Sequence, residues 1–326
     1  MLPVILETIK MNIPLSEKQK ERLKILEPKL ESAIRKQDFK TAKDIVIDIQ
    51  AILRPTQHFV RLVQSKNKLY ELAIELNKLD FALSGLLSNK EVVNEKTRIH
   101  LETISLIAIC YLRMKEIEKA KVYIKAVLQN HTVIKTQRTR ENFHSEIINR
   151  FNEEVALATL TSTKNVHLNE DEIERESIRI IQTLSDDEIF SNIGQISPQS
   201  TKDLIYLVYD FSTKQLPFVE RKALPSPDQK IKDKEVGVTI FESIKRVIYN
   251  SLCNPESEIY KTWFNNGIQT VLSKGYIKSS IISCLVNIGF GASMIAASIV
   301  ALVTKFGIEV YCEKYKPIYI SDIRKQ

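Results

Sequence analysis

The side chains able to do chemistry are few and scattered. The five histidines, His58, His100, His131, His144 and His167, form no local cluster. His100-Leu101-Glu102 and His144-Ser145-Glu146 copy the opening of a zinc deaminase, where a histidine ligand precedes a proton-carrying glutamate. Neither is followed by the Pro-Cys-x-x-Cys that completes such a site. No His-Glu-x-x-His occurs, nor a Walker loop, a dinucleotide fingerprint or a Gly-x-Ser-x-Gly elbow. The acidic runs Glu170-Asp171-Glu172 and Asp186-Asp187-Glu188 carry enough carboxylates for a cation. Each, however, follows a capping residue, Asn169 or Ser185, where negative charge suits the positive end of a helix. The sequence therefore assigns no catalytic residue, no cofactor, no metal ligand and no small-molecule substrate, and points to a non-enzymatic protein.

Cys110, Cys253, Cys284 and Cys312 are too far apart for a zinc or redox motif, and the expectation is four buried free thiols rather than a disulfide scaffold. Met1 to Asn12 lacks the basic, apolar and small-residue stretches of an export signal, so the expected compartment is the reducing cytoplasm. The formal net charge of +7 falls on the first half: Met1 to Leu157 holds 27 Lys and Arg against 20 Asp and Glu, and the remainder holds 20 of each. A mild excess of this kind is a solvated surface or a nucleic-acid footprint. No basic stripe interleaved with aromatics favours the second. The side chains suited to anchoring a partner are the aromatics Tyr111, Tyr123, Tyr260, Trp263 and Phe264; packing against the apolar hairpin is the first reading of Tyr260, Trp263 and Phe264.

These residues must be positioned by helices. Only 8 glycines and 10 prolines occur in 326 residues, too few for a chain of hairpins. The first half is self-similar. In Leu23 to Thr56, Leu23, Leu26, Leu30, Ala33 and Ile34 have helical spacing, Gln37-Asp38-Phe39 turns the chain, and Ala42, Ile45, Val46, Ile49 and Leu53 follow. Ser16 is the expected cap and Arg54-Pro55 the stop. Leu101 to Ile134 repeats the plan with Ile104, Ile107, Ala108 and Tyr111, a turn at Lys115-Glu116-Ile117, then Ala120, Tyr123, Ile124 and Val127. Phe59 to Leu87 reads as another pair, and Arg138 to Leu160 as a closing helix.

On Ala108, Tyr111 three residues later, and the alanines Ala42 and Ala120 that open the second helices, these segments resemble tetratricopeptide repeats, the 34-residue helix-turn-helix units of adaptor proteins. The resemblance covers residues 23–134. It implies a solenoid of antiparallel helix pairs that binds a peptide or protein on its concave face, with no catalytic residues. Each pair carries apolar stripes too wide to bury alone, so neighbours must cover one another.

The predicted architecture is all-α: a helical repeat domain over 1–160, a helical connector over 161–236 and a C-terminal helical domain over 237–326. Within the connector, helices are expected after Asn169, after Ser185 and over Ser200 to Ser212, with a long charged loop from Pro217 to Gly237. The last domain contains an uncharged run of 26 residues, Ser279 to Thr304. One reading is a membrane helix, since about 20 residues suffice to cross a bilayer and Gly289, Ser293, Ala297 and Ala301 form a small-residue stripe. The other divides the run at Gly289-Phe290-Gly291 into a buried hairpin over 276–313, whose second helix runs from Ala292 to Glu313 with Lys305, Glu309 and Glu313 on one solvated face.

Three functions follow: an adaptor subunit with a protein partner in a larger assembly, a nucleic-acid-associated subunit using the basic half, and a membrane-acting effector using residues 279–304.

Overall fold

The computed structural model describes residues 12–161, 168–213, 229–254, 257, 260–261, 276–287, 289–314 and 317–325. Among them are fourteen α-helices: α1 (Glu17–Arg35), α2 (Phe39–Leu53), α3 (Phe59–Glu75), α4 (Leu79–Val92), α5 (Arg98–Arg113), α6 (Ile117–Gln129), α7 (Gln137–Leu160), α8 (Glu170–Thr183), α9 (Asp186–Ile196), α10 (Gln199–Thr213), α11 (Gln229–Leu252), α12 (Tyr276–Asn287), α13 (Ser293–Phe306) and α14 (Ile308–Lys314). Short 3-10 helices cover His131–Val133 and Ile320–Lys325. No named strand forms among the described residues; one isolated bridge joins Thr161 to Phe290. The protein is all-α, and its helices pack on their neighbours in a manner compatible with a helical solenoid.

The local signals act where expected. Ser16 and Gln19 form a capping box on α1, Ser185 and Glu188 another on α9, and Asn169 accepts from the Glu172 amide at the start of α8. Four helix ends share one turn. Gln37, Gln57, Asn77 and Lys115 lie at φ between 55° and 61°. The amide of each bonds back to the carbonyl three residues earlier, and the next amide to the carbonyl five residues earlier, as in Lys115 to Leu112 and Glu116 to Tyr111. This is the Schellman closure, made here without glycine.

Helices α1 to α6 stack as pairs: α1 with α2, α3 with α4, α5 with α6, and α2 and α4 also pack on α3 and α5. The first helices of the pairs contact in series, α1 on α3, α3 on α5 and α5 on α7. They begin at Glu17, Phe59, Arg98 and Gln137, intervals of 42, 39 and 39 residues, longer than the 34 expected. Helices α10 and α11 pack on α7, and a single apolar cluster runs from Tyr70 through α5, α7, α11 and α13 to Ile323.

Three expectations are corrected. The loop expected up to Gly237 is helical from Gln229 onward; residues 217–228 lie outside the described residues. Gly237 is no turn residue but the point where α11 meets α9 backbone to backbone. A Cβ on Gly237 would sit 1.8 Å from the Phe190 carbonyl oxygen, and one on Gly194 would sit 1.7 Å from that of Asp233. Second, Cys253 and Cys312 form a disulfide that ties the end of α11 to α14, while Cys110 and Cys284 are buried thiols outside any disulfide. A spacing of 59 residues carries no local signal for such a pair.

Third, residues 279–304 do not form one spanning helix. The run divides into α12 and α13, with Gly289 at φ 72° between them, and no helix of the described residues is long and apolar enough to cross a membrane. The stripe serves packing instead: Ala297 and Ala301 are buried where α13 meets α8 and α9, Ser293 is partly buried, and Gly291 is exposed. The expected single helix to Glu313 breaks at Gly307, φ 78°, which separates Lys305 from Glu313. Lys305 instead pairs with Asp186 at 2.5 Å.

Candidate functional site

Among the described residues, the face built by α1, α3, α5 and α7 carries a network of buried ion pairs. On α3, Glu75 is buried with Arg150 at 2.8 Å and Arg113 at 3.2 Å. Glu154 takes Arg150 at 2.7 Å and Arg113 at 2.8 Å. From α11, Arg246 reaches Glu153 at 3.3 Å and Glu75 at 3.6 Å, and Lys245 reaches Glu153 at 2.8 Å. Burial raises the Glu75 carboxyl, but Arg113, Arg246 and Arg150 outweigh it and hold it well below the usual range. The net is a clamp joining α3, α5, α7 and α11. Buried charges are tolerated because each has opposite partners within bonding distance.

Against this network lies the C-terminal segment of the chain, residues 317–325. Its 3-10 helix packs on α3, α5 and α7. The amides of Ile320 and Ser321 donate to the two carboxylate oxygens of Glu71 at 2.6 and 3.2 Å, and the Ile318 carbonyl accepts from Arg246 at 2.8 Å. The Arg246 guanidinium lies 5.7 Å from the centre of the Tyr319 ring. Ile320 and Ile323 are buried in the core cluster, and Arg324 donates twice to Glu102. Burial pushes the Glu71 carboxyl up to about 7, partly offset by the two backbone donors, Arg150 and Arg246. Covered on this side by the segment and on the other by α4 and α6, α5 is buried at every residue from Ile99 to Cys110, including Glu102, Thr103 and Ser105.

Beside the segment the same face stays open as a cavity of about 670 Å³, within the range of ligand-binding clefts. Its walls come from α1, α3, the α4–α5 turn and α5, and from Ile320, Ser321 and Arg324. Charges on the walls are paired across helices, Glu27 with Arg61 at 2.6 Å and Glu31 with Lys68 at 2.8 Å. Carboxamides are unusually frequent: Asn12, Gln57, Gln64, Asn67 and Asn94. Asn67 is held by a relay, accepting from Asn89 at 3.0 Å and donating to Thr103 at 2.9 Å. Amide and paired-ion walls match the donors and acceptors of a polypeptide backbone.

No family model, curated protein or solved structure matches the chain.

The partner-binding candidates fall elsewhere. Tyr111 and Tyr123 stack with ring centres 5.7 Å apart, Lys119 lies over Tyr111, and neither tyrosine lines the cavity. Tyr260 is half-buried against the core, and Trp263 and Phe264 lie outside the described residues. Glu102 of the His-x-Glu pair is engaged by Arg98 and Arg324, and burial lowers the His100 pKa. Burial pushes the Cys110 thiol up to about 12, so no thiolate nucleophile forms there at neutral pH. No group of three metal-binding side chains occurs among the described residues. Sequence reasoning missed Glu71, Asn67, Arg246 and residues 318–324. Their only local signal is charge or amide on otherwise apolar helical faces.

Proposed function

We propose that this chain is a non-enzymatic interaction scaffold, a solenoid of tetratricopeptide-like helix pairs with a lengthened period, which binds an extended segment of a protein partner on its concave face. One observation carries the reading: residues 318–324 pack on α3, α5 and α7 with main-chain groups bonded to side chains there, as those of a bound peptide would be. The serial contact of α1, α3, α5 and α7 supports the architecture, and the neighbouring cavity provides room for further chain. The cations of this face are engaged by Glu27, Glu31, Glu75, Glu102 and Glu154, which favours peptide over nucleic acid, whose affinity needs lysine and arginine free for phosphates.

Gln64 lines the cavity between Arg61 and Lys68 on α3 and is a member of neither ion pair, so Gln64→Trp adds bulk there without removing a charged group. Partners captured by the wild-type chain are expected to be lost by this variant while its melting curve is unchanged. Equal capture by both proteins would place binding on another surface.

A further inference from the structure

We infer that residues 318–324 are a displaceable occupant, and that the groove's external ligand is a partner peptide copying their chemistry: a buried aliphatic residue, a second three positions on, and an arginine directly after it. The inference rests on the peptide-binding reading above and adds both the ligand's chemistry and its competition with the chain's own segment.

The contacts define what a ligand must supply. Glu71 takes two consecutive backbone amides, those of Ile320 and Ser321. Apolar seats hold Ile320 and Ile323. Glu102 takes the paired donors of a guanidinium, Nε and Nη2, both at 2.7 Å. That fork geometry suits arginine and is poorly served by lysine. A neutral side chain there would leave Glu102 with Arg98 alone.

The groove is built to exchange one segment for another. Glu102 keeps its bond from Arg98 at 2.9 Å, and Glu71 keeps the nearby charges of Arg150 and Arg246. Release takes both backbone donors from the buried Glu71 carboxylate, so the segment leaves by exchange with a ligand that brings two consecutive amides of its own. The segment's own structure is the short 3-10 helix Ile320–Lys325, with the Asp322 amide bonded to the Tyr319 carbonyl at its start. The open cavity borders Ser321 and Arg324, and the Arg324 side chain remains 30% exposed. An incoming peptide can thus enter from the cavity and take Glu102 first.

The test uses full-length chains and a fluorescent peptide of the sequence of residues 317–325. The released variant carries Ile320→Asp, Ile323→Asp and Arg324→Ala; should it not fold, Arg324→Glu alone serves, because that side chain is partly exposed. The peptide is expected to bind the released chain about tenfold or more tightly than the wild type, whose groove is mostly filled. Replacing the peptide's arginine with alanine is expected to weaken binding about tenfold. Equal affinity for wild-type and released chains overturns the competition while leaving the groove reading intact. No binding to a folded released chain overturns the groove reading itself. A wild-type dimer that becomes monomeric on Arg324→Glu assigns the segment to exchange between copies and overturns the partner-peptide assignment.

Discussion

Arg324 donates from Nε and Nη2 to the two oxygens of Glu102, both at 2.7 Å, across 222 residues of sequence. The same carboxylate accepts from Arg98, four residues away on α5. The pair is therefore asymmetric: without Arg324, Glu102 keeps a partner, whereas without Glu102 two guanidiniums lose theirs. Arg324→Ala is expected to lower unfolding free energy by about 1–2 kcal/mol, and Glu102→Ala by about 3 kcal/mol or more. Urea denaturation of the two variants measures the difference. Equal losses would mean that Arg98 does not back up the contact.

Glu71 and Glu75, one turn apart on α3, respond to pH with opposite signs. Burial lifts Glu71 from 4.5 to about 7, so the folded state binds its proton more tightly than the unfolded chain. Stability from this group falls as pH rises from about 4.5 to about 7 and is level above that. Glu75 is held below its ordinary value, so its contribution is complete above about 4.5 and is lost as pH falls through the depressed value. In Glu71→Gln the decline between pH 5 and 7 should flatten while the acid limb remains. A decline of unchanged slope, followed by urea midpoints across this range, would show that Glu71 does not titrate there.

Gly237 and Gly307 are needed for different reasons, and alanine separates them. At Gly237 the added carbon meets the Phe190 backbone, which cannot swing aside, and the cost is about 3 kcal/mol or more. At Gly307 the added carbon meets nothing within 4 Å, and the cost is only that of φ 78°, about 1–2 kcal/mol. Thermal melts should rank Gly237→Ala as clearly the less stable; the reverse order would contradict the backbone contact between α9 and α11.

Reduction tests the Cys253–Cys312 pair. Opening a loop of 59 residues is expected to cost about 4 kcal/mol if the chain-entropy account holds. The measurement is a melt with and without dithiothreitol, with Cys253→Ser/Cys312→Ser as the control. A double variant that still shifts on reduction would place the effect outside this pair.

What was legible in the sequence is what acts over one or two helical turns. Ser16, Asn169 and Ser185 announced helix starts because a cap bonds only three residues ahead. Gly289-Phe290-Gly291 announced the break between α12 and α13 because positive φ is a local demand. The groove was not legible. Glu71 meets Ile320, Arg113 meets Glu154 and Arg246 meets Glu153 across 249, 41 and 93 residues. An ionised side chain on a helix reads the same whether solvent or a distant guanidinium faces it. Gly237 misled for a related reason: glycine marks both turns and close helix crossings, and only the partner helix distinguishes them.

The bond from the Ile320 amide to Glu71 also imposes an order on biosynthesis. Helix α3 leaves the ribosome long before the residue that covers it, since 249 positions separate donor from acceptor. N-terminal units fold first as they emerge, so while those 249 positions are made the nascent protein displays Glu71 and Glu102 uncovered by the segment. A binding protein present at the ribosome meets no rival during that interval. One arriving later must evict residues 318–324.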